Sequence, residues 1–248
     1  MKSLFFVISL VSSLSAHFQT VIVSQSVIEQ GDSPKLTLQY EFTHPFEQHA
    51  MNMDIPQELG VYFDGKKHSM LSSLRLIKGK ASTSYENEYI LKKPGIYQFY
   101  IDPKPYFEAA EAKFIRHQTK TIVDAFGAGE GWDMPIGLKA EIIPLSRPYS
   151  LYTNNLFSGQ VLYKSKALPY AFIEIEFYNT KKLKAPNDMY VTQVVKADSN
   201  GVFHVTLPQS GWWGFAALID DDETIVKDGK VYPIELGAVL WLKTEEMK

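Results

Sequence analysis

Lys92–Pro103 reads "KKPGIYQFYIDP". Tyr97, Phe99 and Ile101 alternate with Gln98 and Tyr100, the period of two that a half-buried strand requires. Pro94 and Gly95 open the run, and Asp102 and Pro103 close it, as turn residues do. The same punctuation recurs upstream. "FQTVIVSQSVI", "PKLTLQYEFTHP", "LGVYFDG", "SSLRLIKG" and "YENEYIL" each read as a strand ended by Gly, Pro, Asp or Asn. This spacing predicts an Ig-like β-sandwich of about 100 residues, over 17–123.

Downstream, Asp124–Asn155 is rich in Gly and Pro and is expected to be a linker or strap. A second β pattern covers 156–248. There Ile173, Ile175 and Phe177 alternate with Glu174 and Glu176, and Asp198-Ser199-Asn200-Gly201 marks a tight turn. "GWWGFAAL" is expected to be core, since a sandwich buries alternate aromatic residues. One short helical turn is expected around Glu108–Ala112, where Glu108 and Glu111 would share a face. The expected class is all-β, with two β-sandwich domains joined by the strap.

The 248 residues suffice for two ordinary domains. With 25 basic and 28 acidic residues, the chain carries no electrostatic footprint for nucleic acid. Residues 1–16, "MKSLFFVISLVSSLSA", join a basic Lys2 to the apolar stretch Leu4–Leu14 and then small residues, the pattern of a secretory signal peptide. No later run is long enough to span a bilayer, so a periplasmic protein without direct membrane insertion is expected. There is no cysteine, which excludes disulfides, thiolate metal sites and cysteine nucleophiles.

The chain has six histidines and no HExxH, GxSxG, P-loop or GxGxxG motif, so no enzyme class announces itself. "GAGEG" at 127–131 reads as a turn. "FTHPFEQHAMNMDIP" gathers His44, His49, Met51, Met53 and Asp54. Imidazoles suit nickel, cobalt, copper and zinc, and thioethers suit softer ions. Met51 and Met53 also fit a role as core filler. A cut behind Ala16 would make His17 the first residue, with amine and imidazole on one terminus to chelate an ion. Leu14 is not small at the third position before that cut, and a cut behind Ser15 would leave Ala16-His17 instead. His44, ahead of Pro45, and His117 are the candidate further ligands, and Met51, Met53 and Glu111 the weaker ones. His68 and His204 read as surface residues.

"AHFQ", "FTHPFE", "MNMDIP", "KPGIYQFYIDPKPYFEAAEAKFIRHQTKTIVDAFG", "GWDMPIGLKAEIIPLSRPYSLY", "GQVLYKSKALPYAFIEIEFYN" and "GVFHVTLPQSGWWGFAAL" together resemble the DUF4198 family. The resemblance runs from Ala16 to the C-terminus. It places family positions on Ala16–Gln19, Thr43–Pro45, Met51, Met53 and His117, and departs from the family's pattern at Leu14 and Gln118. It implies an exported bacterial protein associated with energy-coupling-factor type nickel or cobalt importers. It also implies a transthyretin-like or carboxypeptidase-regulatory-like sandwich for the second half. The expected function is therefore a non-enzymatic, periplasmic nickel or cobalt binding protein that assists the membrane subunits of an importer. The alternatives are an oxidative copper enzyme with a histidine brace at His17 or a copper-binding protein, and a non-catalytic structural or interaction module.

Overall fold

The computed structural model describes residues 16–247. The signal-peptide reading, apart from Ala16, falls outside the described residues. Among those residues the regular structure is strand, save two single turns of 3-10 helix at Leu71–Ser73 and Asp188–Tyr190. No helix of the described residues is long and apolar enough to cross a membrane.

One sheet of eleven strands runs through both halves of the chain. Its main path, in order, is Gln193–Lys196, Phe172–Phe177, Gly211–Lys227, Lys230–Glu245, Lys113–Ala125, Gly95–Asp102, Glu58–Phe63 and Lys66–Ser69. Neighbours along this path are antiparallel except at the middle. There Lys113–Ala125 and Lys230–Glu245 run parallel, from Phe114 opposite Ile234 to Thr121 opposite Trp241. This seam joins the first half of the chain to the second.

The alternation read in Lys92–Pro103 decides which face each side chain takes. Tyr97, Phe99 and Ile101 point to one face with Ile115, Val123 and Ala125 of the next strand, and pack against Val21, Leu36, Leu38 and Tyr40. Those partners come from a second sheet built on Ile22–Val23, Lys35–Tyr40, Tyr85–Ile90 and Arg75–Leu76, and from the segment leading into it. On the opposite face, Ile173, Ile175, Phe215, Leu236 and Leu240 pack against Phe157, Val161 and Phe203. Leu156–Tyr163 and Val202–Thr206 of a third sheet carry those three. Two sandwich cores thus lie on opposite faces of one shared sheet, and the chain is all-β as its patterning requires. In "GWWGFAAL", Trp213, Phe215, Ala216 and Ala217 are buried.

Two segments differ from their sequence reading. The Lys113–Ala125 strand runs past residue 123, and within the expected strap Ala140–Pro144 pairs with Leu156–Tyr163 as a strand of the third sheet. Its five residues are buried throughout, so apolar content outweighs the Gly/Pro flanks. Around Glu108–Ala112 there is no helix but a hairpin, with Tyr106 opposite Ile115 and Glu108 opposite Lys113. Ala112 takes φ 52° in its turn. An isolated helical turn has too few hydrogen bonds to offset its nucleation cost. The hairpin instead packs Phe107 at a tilt against Phe114 and edge-on against Tyr232, with ring centroids 5.0 and 4.9 Å apart.

Candidate functional site

The site begins with the N-terminal segment, which lies across the parallel seam. Main-chain groups of this segment are held by side chains of the shared sheet. Trp241 Nε1 and Thr119 Oγ1 donate to the Gln19 carbonyl at 2.9 and 3.2 Å, and Thr121 Oγ1 donates to that of Val21. Phe18 is fully buried, edge-on to Trp241. Room for it exists because Gly214 lacks a side chain: a Cβ there would lie 2.7 Å from Trp241 and 3.0 Å from Phe18.

So anchored, Phe18–Gln19 pairs with Phe42–His44, which pairs in turn with His49–Met51. Phe18 lies opposite Thr43 and His44 opposite His49, so continuing the register brings His17 beside His44. Three imidazoles therefore form a row across three strands. The His17 and His44 ring centroids are 4.5 Å apart, and those of His44 and His49 are 6.1 Å apart. His17 also stacks on Phe42, and its Nε2 lies 3.5 Å from Glu108 Oε2.

His117 meets Phe42 edge-on, with ring centroids 6.3 Å apart. It is 1% exposed and packs flat on Gly237, its partner across the parallel seam. A Cβ on Gly237 would come within 2.3 Å of His117 Cδ2. Neither ring nitrogen of His117 has a hydrogen-bond partner among the described residues. The nearest charge is Glu235, whose Oε1 lies 3.6 Å from Nε2, an ionic contact longer than a hydrogen bond. His117 lines a cavity of about 250 Å³ with Gln19, Phe42, Met53, Tyr106 and Ile115.

The electrostatics favour neutral rings at His17 and His44. Burial lowers His17 to about 4, and neighbouring His44 and His117 act in the same direction. His44 is lowered too, by burial first, against the pull of Glu47. Its Nδ1 is buried without a partner among the described residues. A neutral imidazole has a free lone pair, and this is the form that binds a metal ion. Glu235 keeps its charge. Burial opposes ionisation there, but His117 and Lys113 outweigh it and hold the carboxyl down to about 2.

The six candidate ligands divide. His17 and His44 come together, and His117 touches Phe42, the ring on which His17 stacks. Met51 lies opposite Phe42 and is half-buried, packed against the core of the first half. Met53 is 5% exposed in that core, with its sulfur 3.5 Å from Gln19 Nε2, so core filling accounts for it. Glu111 is exposed and pairs with Lys113, which links it to Glu235 rather than to the imidazoles. His68 and His204 are exposed, as read. Among the described residues no three or more His, Asp or Glu side chains stand ready-gathered around one ion position. The donors are a pair, His17 and His44, with His49, Glu108 and His117 around it.

One participant was read in the His/Met cluster but not as a ligand candidate, and another escaped the sequence. His49 closes a short hairpin with His44, and the spacing in "HPFEQH" is the signal that pairs them. Glu235 reaches His117 only through the parallel seam, and no local pattern announces that. A third acid, Glu176, is fully buried on the same face of the sheet as Phe18 and Trp241, since it lies opposite Gly214. Burial pushes its carboxyl up to about 7, although the Thr192 hydroxyl opposes the shift.

Among solved structures, the chain is similar to an I9–I11 tandem from titin, at 8% identity and a TM-score of 0.24, over 90% of this chain and 65% of that one. It is similar to fibronectin(III)-like modules of Clostridium thermocellum CbhA at 10% identity and a TM-score of 0.21, over 92% and 98% of the two chains. The D00-D0 domain of intimin gives 8% and 0.22, over 92% and 100%. This chain spans less than two thirds of the titin tandem. No curated protein matches. The model of one family, described as a domain of unknown function (DUF4198), matches residues 14–221, and with most of its length so matched the chain belongs to the DUF4198 family.

Proposed function

We propose that this protein is an exported, periplasmic binding protein for nickel or cobalt that presents the ion to the membrane subunits of an importer. His17 and His44 would hold the ion through their imidazoles, with His49, Glu108 and His117 available around them. The observation that carries this reading is the pair of neutral, largely buried rings, 4.5 Å apart, brought together by adjacent strands. Such a site offers nitrogen lone pairs at neutral pH, and imidazole donors suit these ions. With two protein imidazoles, the remaining coordination positions stay open to water or to a small chelator carried with the ion. A binding role, rather than catalysis, fits a site without a nucleophile or an enzyme motif.

Calorimetric titration of the exported protein with nickel and with cobalt tests this. One ion per chain is expected, with at least ten-fold weaker binding in His17→Ala and in His44→Ala and no change in His68→Ala. Binding is expected to persist on mild acidification, because His17 resists protonation until the pH approaches about 4. No measurable binding, or equal binding by the double variant, overturns the reading. A copper titration in the same series ranks the copper alternative.

A further inference from the structure

We propose that the cavity lined by His117 is a binding site for a free α-amino acid with a polar group at the tip of its side chain. Lys104 and Asp54 hold the two charges of the amino acid at the mouth, and the His117 imidazole meets the tip within. The inference goes beyond the metal reading and does not depend on a bound ion.

The cavity measures about 250 Å³. Ligand pockets generally span about 300–1,000 Å³, so this one suits a single small metabolite and not a peptide or a lipid. Phe42, Met53 and Ile115 line it and are otherwise buried, which gives it an apolar wall. His117 breaks that wall. Its ring is 1% exposed, and neither nitrogen has a hydrogen-bond partner among the described residues. A buried polar group left in this state is costly, and native structures supply a partner for nearly all of them. A hydrogen-bonding group at the tip of a bound side chain would be that partner, while the body of the side chain packs on the apolar wall.

The mouth carries both signs of charge. Lys104 and Asp54 line the same cavity and are exposed. Among the described residues neither is in an ion pair, with the other or with a third side chain. A lone exposed charge is simply hydrated. Two opposite charges that share an apolar cavity without neutralising each other match a zwitterion, its carboxylate on the Lys104 ammonium and its ammonium on the Asp54 carboxylate. The segments that carry them are already fixed. Lys104 stands between Pro103 and Pro105, whose rings lock φ. Gln57, three residues past Asp54, donates its N–H to the Asp102 carbonyl at 2.9 Å and its Nε2 to that of Pro103 at 3.0 Å. On the other side of Asp54, Asn52 Oδ1 accepts the Thr83 N–H and hydroxyl at 2.8 and 3.1 Å, and the Met53 N–H donates to the Thr83 carbonyl at 3.2 Å. A mouth set before the ligand arrives loses little freedom on binding.

Calorimetric titration of the metal-free protein with L-tyrosine and with L-histidine tests this. Saturable binding of at least one of them, one molecule per chain, is expected. For the one that binds, the analogue without the amine and the analogue without the carboxylate should each bind about ten-fold more weakly. Lys104→Ala and Asp54→Ala should weaken the amino acid to a similar degree. Both side chains are exposed, so neither change disturbs the core, and Lys92→Ala, also exposed, should bind as the native chain does. L-leucine, which has no polar tip, should bind about ten-fold more weakly, and equal binding by it overturns the role given to His117. No saturable binding of either amino acid overturns the proposal, as does full binding by the analogue without the amine or by the double variant of Lys104 and Asp54. Binding that appears only after nickel is added also overturns it, in favour of a chelate held at the imidazole pair. Loss of nickel binding alone would end the proposed function and leave this site standing.

Discussion

At the residue scale, Gly237 shows how a missing atom sets the site. Its place is taken by the flat His117 ring, which would meet a Cβ at 2.3 Å. Gly237→Ala is expected to force the ring or the parallel seam to move, at a cost of about 1–3 kcal/mol. A lowered midpoint in urea unfolding, with displaced His117 ring resonances, checks this; an unchanged midpoint would show that the seam yields freely. The same residue shows where sequence reading stops. His44 and His49 were legible as neighbours in sequence that one hairpin joins, whereas His17 meets them through the pairing of Phe18–Gln19 with Phe42–His44. His117 was legible as a candidate, but its bed on Gly237 and its contact with Glu235 were not. Both come from strands far apart in the chain, and nothing local encodes a parallel register.

At the element scale, the turn-rich stretch between the halves is held by a buried ion pair. Lys120, fully buried on the Lys113–Ala125 strand, donates to Glu141 Oε1 at 2.7 Å. Glu141 also accepts the Ile136 and Gly137 main-chain N–H groups at 2.9 and 3.2 Å. Burial lowers the Lys120 ammonium, and Glu141 opposes that shift. Lys120→Met removes the cation and leaves the carboxylate buried alone, which is expected to cost about 3–5 kcal/mol. Chemical unfolding measures that loss, and faster proteolytic cutting within 126–139 would locate it. The strap reading captured the Gly and Pro turns here. It missed the Ala140–Pro144 strand, whose burial is decided by the Leu156–Tyr163 partner and not by local composition. The Glu108–Ala112 helix failed for the related reason that Phe107 and Phe114 gain more by packing against each other across a hairpin.

At the scale of the whole molecule, the two cores share one sheet. Eight register pairs, Phe114 with Ile234 through Thr121 with Trp241, cross the parallel seam. Scanning calorimetry of the full chain is therefore expected to show one cooperative transition. Two resolved transitions would mean that the halves are energetically separate. The all-β class and the strand content of each half follow from alternation and turns. The merging of the halves does not, because it depends on which two edges meet.

The Gln19 carbonyl and the Trp241 indole are separated by 222 positions in the chain. Contacts so distant in sequence close late, because the entropy of a large loop must be met before they form. The imidazole row hangs from that last closure. A newly made chain thus reaches its final strand before its first can settle. Under the export proposed above, this wiring delays premature locking of the fold before the chain has crossed the membrane. Competence to bind would then arise only after the C-terminal strand has arrived on the far side.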